Sequence, residues 1–304
     1  MSSIPVSEPT LSARAMLCSL SISQWSASKH DRQASEEIAA QHGAQPDVGR
    51  YNKLLIPKET LAEVHKIAGE ARREHYFITL PWDDNGYRVL PAAIYMEHTE
   101  KLREYSRQFM TAVEVFAAQF DQLVTESRSR LGSLFRAEDY PSSKEIREKF
   151  AMETKVLPLP DANDFRVNLG DEEKDRIKRQ IAASVEASLT VASRELWQRM
   201  YEAVSHMAER LSAYKATGNG VEHPFRDSIV TNLVKLVDVM PRLNVTGDPE
   251  LEQLTAQVRA ALLVDPAELR ESEIVRTQTA MAAARIAEQM AGYMAGYQLT
   301  AVAS

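Results

Sequence analysis

Apolar residues recur at steps of three and four along two long stretches of the chain. The first runs over about 96–135, with Leu102, Tyr105, Phe109, Ala112/Val113, Phe116, Phe120, Leu123, Leu131 and Leu134 on one face and Ser127 as the gap. The second runs over about 171–215, with Ile177, Ile181, Val185, Leu189, Ala192, Leu196, Met200, Ala203/Val204, Met207, Leu211 and Tyr214. This spacing predicts two amphipathic helices. Neither contains proline, and glycine first appears at Gly132 and Gly218. At about 1.5 Å per residue each helix spans roughly 60 Å. Two narrow apolar stripes are buried most simply against each other. The expected fold is therefore mainly α: an elongated, coiled-coil-like antiparallel hairpin of long helices, with a helical base and a small irregular or β-containing tip. Any part of a seam left open would dock a partner helix, and self-association is compatible with the same stripes.

The remaining segments attach to this frame. Residues 1–10 read as a tail, 11–91 as an N-terminal base segment, 92–136 as the first long helix, 137–170 as the tip, 171–216 as the second long helix and 217–304 as a C-terminal helical base. Leu17, Leu20, Ile22 and Trp25 alternate loosely, which suits a short strand. A helix then starts at Ser28 or Asp31 as N-cap and stops at Gly43. A further helix covers roughly 58–75. Asp84, Asn85 and Gly86 supply a turn between FITLPW and GYRVLP, a small hairpin. In the tip, Pro141 and Ser142/Ser143 open a short helix, Pro158 and Pro160 favour an extended path, and Phe165, Val167 and Leu169 alternate with Arg166 and Asn168. Beyond Gly218, Gly220 and Pro224, a helix is expected over 225–240 and stopped by Pro241. Asp248-Pro249 and Asp265-Pro266 are matching helix starts, with Asp as cap and Pro at the first helical position. The last helix, 266–294, is rich in small residues that permit close approach.

Composition narrows the class. Of 304 residues, 44% are hydrophobic and 26% charged, which suits a folded globular chain. The single Cys18 excludes an intrachain disulfide framework and a Cys-rich zinc site. The N-terminus lacks the pattern of a secretory signal, and no apolar run reaches bilayer-spanning length. A bacterial cytoplasmic location is the expectation. Net charge is −7, and the segment from 217 onward holds eleven acids against seven bases, which weighs against wholesale DNA binding there.

The seven histidines form no HExxH motif or i, i+4 pair, and Walker A, GxGxxG and GxSxG motifs are absent from the sequence. Adjacent acids such as Glu36/Glu37 do not face each other on a helix. No catalytic residue, metal or cofactor is assigned. Two groups of residues stand out instead. Trp25, Lys29, Asp31 and Arg32, with Arg50, Tyr51 and Lys53 close by in sequence, combine aromatic and basic groups suited to a partner or to a single nucleic-acid strand. The plainer reading is a solvated helix start anchored by Trp25. In the tip, Arg166 could make a bidentate contact, with Asp164 holding it and Phe165 filling a small core.

Two blocks carry a resemblance. SISQWSASKHDRQASEEIAAQHGAQPDVGRYNKLLIP and VLPLPDANDFRVNLGDEE resemble a family of uncharacterised proteins of bacteriophages, integrative elements and large conjugative plasmids. The resemblance implies membership from about Leu17 to Met290. It also implies a gene neighbourhood with a MoxR-type AAA+ ATPase, a von Willebrand A domain protein and recombination genes. It carries no catalytic signature. The expected function is a non-enzymatic interaction or assembly protein of a mobile element, acting with such a remodelling system. An accessory nucleic-acid-binding protein of recombination or replication is the alternative. A helical pore-former is remote, because the tip carries Asp161, Asp164 and Arg166 in place of a hydrophobic tongue.

Overall fold

In a computed structural model the chain is mainly helical with a small antiparallel sheet. The structure describes residues 11–162, 170–217 and 220–302. In chain order the elements are α1 (Leu11–Arg14), β1 (Ala15–Ser23), β2 (Ser28–His30), α2 (Arg32–Gln41), β3 (Asn52–Leu54), α3 (Ala62–Phe77), β4 (Leu80–Pro81), β5 (Arg88–Pro91), α4 (Tyr95–Leu131), α5 (Glu145–Glu148), β6 (Ala151–Pro158), α6 (Asp171–Ala213), β7 (Lys215–Thr217), β8 (Gly220–Glu222), α7 (Ser228–Leu243), α8 (Pro249–Leu262), α9 (Pro266–Glu271) and α10 (Glu273–Val302). Strands β4-β5-β1-β6 form one sheet in that order, and β2–β3 and β7–β8 are two-stranded ribbons.

The chain divides into two compact units, interleaved along the sequence. One comprises residues up to Ser19, Ile78–Met96 and Val156 onward; the other comprises Leu20–Phe77 and Glu97–Lys155.

In the first unit, α6 buries Leu196, Trp197, Met200, Val204, Met207 and Leu211. Its main partner is α10, whose buried Ala280, Ala283 and Ala287 allow close approach, as the small-residue pattern suggested. Trp197 stacks on Tyr293 at 5.3 Å between centroids. Helix α7 packs on both α6 and α8. The expected hairpin is present: Leu80 pairs with Val89 and Pro81 with Arg88, across a turn with Gly86 at φ 87°. Asp248 and Asp265 cap α8 and α9 as their sequence signatures predict.

Several boundaries differ from the sequence reading: α4 ends at Leu131 and α10 runs on to Val302. Pro241 lies inside α7 and does not stop it. Proline lacks the N–H that would bond the Val237 carbonyl four residues back, and Arg259 Nη2 donates to that carbonyl at 3.2 Å. The expected helix 266–294 is two helices, broken at Ser272 in an extended conformation (φ −107°, ψ 111°).

In the second unit, α3 and α4 share one core. Val64, Ile67 and Ala68 meet Phe109, Val113, Phe116, Phe120 and Leu123. Ile146 and Phe150 complete it, so this part of the expected tip belongs to the core of the unit. The α4 seam is buried by α3 and residues 146–150, and the α6 seam is buried from Ala192 onward, with α10 and α7 as packing partners, while Ile177, Ile181, Val185 and Leu189 are only half-buried. Periodicity marks the apolar face of each helix but not what covers it.

Candidate functional site

The region singled out around Asp31 assembles into a built site in the second unit. Ribbon β2–β3 sets Lys29 opposite Lys53 and His30 opposite Asn52. The pairing extends one step further, because Asp31 N–H donates to the Tyr51 carbonyl at 2.9 Å. Asp31 is the N-cap of α2, and its Oδ1 accepts from Ala34 N–H at 3.1 Å. Ser35, on the first turn of α2, donates through Oγ to the Asp31 carbonyl at 2.7 Å and accepts from Tyr51 N–H at 2.9 Å. The start of α2 and Tyr51, the residue that leads into β3, are therefore locked together.

Beneath them lies a buried ion cluster. The Lys53 side chain is 1% exposed. Its ammonium donates to Asp31 Oδ2 at 2.8 Å and to the Leu134 carbonyl at 2.7 Å, and it lies 2.8 Å from Asp139 Oδ2. Burial works against the charged lysine, yet the contacts with Asp139 and Asp31 outweigh it and hold Lys53 above the ordinary lysine value. The Lys53 hydrogen bond, and after it the Ala34 N–H, hold the Asp31 carboxyl below the usual aspartate value. Hydrogen-bonded to Asp31 and to the Leu134 carbonyl and ion-paired with Asp139, this lysine is held as a fixed charge.

Above the cluster a recess of about 440 Å³ opens to solvent, lined by Lys53, Asp31 and Asp139 with Lys29, Arg32 and Arg136. Arg136 donates to Gln33 Oε1 at 2.9 Å, and Arg32 pairs with Glu36 at 2.7 Å. Lys29 and Arg50 are exposed and make no ion pair among the described residues. Tyr51 is also exposed, with its backbone fixed by α2.

Of the sequence-selected residues, Lys29, Asp31, Arg32, Tyr51 and Lys53 come together on this ribbon and helix start, and Arg50 is the exposed residue that precedes Tyr51. Trp25 serves another purpose: it is half-buried against Phe116 and Phe120, with centroids at 6.2 and 5.6 Å. Asp164, Phe165 and Arg166 lie outside the described residues. Sequence reasoning missed Asp139, Ser35 and Arg136. A lysine preceding the apolar run LLI hints at a buried ammonium in need of carboxylates, but nothing in RAEDY marks Asp139 as the one supplied.

The same unit buries a histidine pair. His75 Nδ1 and His98 Nε2 are 3.1 Å apart, and the rings stack at 5.3 Å. Burial pulls His98 down to about 4.

Comparison of the chain with protein-family models, with curated proteins and with solved structures finds no match.

Proposed function

We propose that this protein is a non-enzymatic interaction subunit whose partner surface is the ledge made by β2, β3 and the start of α2. The observation that carries the reading is the pairing of a rigid base with an unspent rim. Lys53 and its carboxylates pin the backbone, while Lys29, Arg50 and Tyr51 face solvent with no ion pair on the two cations among the described residues. A backbone already fixed adds no loop-ordering cost on binding, and tyrosine and arginine are favoured contact centres. The rim complements an acidic, hydrogen-bond-accepting protein surface. On the sequence resemblance, that partner is a MoxR-type AAA+ ATPase or its von Willebrand A companion, in the cytoplasm of a bacterial host that carries a mobile element.

The same rim also supports a second reading, an accessory nucleic-acid-binding protein, because cations beside an exposed tyrosine suit a single strand. A titration of single-stranded DNA at two salt concentrations separates the two. Salt-sensitive binding, lost in Lys29→Glu and Arg50→Glu, favours the strand; no binding at low salt leaves the protein partner. Among the described residues no helix is long and apolar enough to cross a membrane.

A further inference from the structure

The first unit holds a second recess, of about 610 Å³, in which basic groups converge and no lining residue is acidic. His206 and Arg210 stand four residues apart on α6, which puts them on one helix face. His223, Arg226 and Ser228 come from the segment that leads into α7. This concentration stands out in a chain of net charge −7, whose stretch from 217 onward carries more acids than bases.

The surroundings keep the cations available. Arg210 Nη2 donates to the Pro224 carbonyl at 3.1 Å, which ties the loop to α6. Phe225 is buried, packs on Tyr214 at 5.4 Å and carries the Arg270 guanidinium 5.0 Å over its ring. The loop is thereby anchored between the two residues it presents. Asp227, the neighbouring carboxylate, is engaged by Arg270 and does not neutralise Arg226. His223 has φ 54°, in the left-handed region that disfavours side-chain-bearing residues, and such strain persists where the surroundings enforce it. The recess also lies at the first turn of the sixteen-residue α7, whose dipole adds to the positive potential.

We propose that this recess binds the phosphate group of a small phosphomonoester. Two permanent guanidinium charges match a dianion. Planar guanidinium N–H groups, imidazole N–H and the Ser228 hydroxyl supply donors around it. The site is independent of the ledge on the other unit.

The test is a titration of the full chain with inorganic phosphate and with ribose 5-phosphate at constant ionic strength, followed by the imidazole proton resonances of His206 and His223. These two signals are assigned by His206→Gln and His223→Gln. Saturable shifts of both are expected, with acetate far weaker. Arg226→Gln, at an exposed side chain, is expected to weaken phosphate binding about tenfold, the size of one charge-assisted hydrogen bond. A stronger response to ribose 5-phosphate than to inorganic phosphate assigns the ester as ligand; an equal response assigns the free phosphate group. Unmoved His206 and His223 signals at tens of millimolar phosphate would overturn the proposal. So would an unchanged affinity in Arg226→Gln, or equal shifts with acetate.

Discussion

Asp31 divides its carboxylate between two tasks: Oδ1 caps α2 through Ala34 N–H at 3.1 Å, and Oδ2 holds the buried Lys53 ammonium at 2.8 Å. One side chain thus joins the start of a helix to a strand 22 positions later. Asp248 does the same in the other unit. Its Oδ1 accepts from Glu250 and Leu251 N–H, while its Oδ2 accepts from Trp197 Nε1 at 3.0 Å. In both places a local signal that the sequence shows plainly also does long-range work that it does not show.

Lys53→Met leaves Asp31 and Asp139 buried without their cation. The expected loss of stability is about 3–5 kcal/mol, the usual result of breaking a buried pair from one side. Lys66→Ala, at the exposed Lys66–Glu63 pair, is expected to cost less than about 1 kcal/mol. Urea denaturation of both variants checks the contrast, and equal small losses would mean that the cluster does not hold the ledge.

Acid is expected to act in two steps. His98 is a base pulled down by burial to about 4. The unfolded chain takes that proton first, so stability falls as pH drops from about 6.5 toward the folded value. Asp31 sits below its ordinary value, so its contribution is present above the unfolded aspartate value of about 3.9 and is lost as pH falls through the folded one. Lys53, held above the ordinary lysine value, makes its full contribution below the unfolded lysine value of about 10.4 and loses it as pH rises from there through the folded value. Thermal unfolding from pH 7 downward should show the first step vanish in His98→Gln and the second persist. An unchanged upper limb in that variant would contradict the assignment.

Pro241 and Arg259 are expected to be coupled. Arg259→Met strands the Val237 carbonyl and should cost about 1–3 kcal/mol. Arg259 also pairs with Asp238 at 2.8 Å on the surface, which adds little. Pro241→Ala restores the missing helical donor, so the arginine loss should be smaller in that background. A double-mutant cycle reads the difference, and strict additivity would show that the carbonyl was never Arg259's role.

Asp248→Ala is expected to lose more than Asp265→Ala. The second removes an N-cap alone, about 1 kcal/mol. The first also leaves the indole N–H of buried Trp197 without this acceptor, a further 1–3 kcal/mol or so. Equal losses in chemical denaturation would make the Trp197 bond incidental.

The parts legible in the sequence are the short-range ones. The α4 and α6 seams, the β4–β5 turn and the caps Asp31, Asp248 and Asp265 depend on residues within one or two turns of each other. The partner of each seam does not, because a stripe is the same stripe whichever helix covers it. Nor did the sequence reveal that Pro241 is tolerated, since the arginine that compensates for it sits on the next helix. The ledge was half legible: Asp31, Lys53 and Tyr51 stood out by type, whereas Asp139 reaches Lys53 only through the fold.

The most direct measurement is calorimetric binding of the purified protein to the MoxR-type ATPase proposed as its partner, with wild type compared to Lys29→Glu, Arg50→Glu and Tyr51→Ala. The account predicts a saturable interaction that each substitution weakens, by about tenfold or more for a contact at the centre of the surface, with melting temperatures unchanged. Equal binding by all four proteins would contradict the ledge as the partner surface.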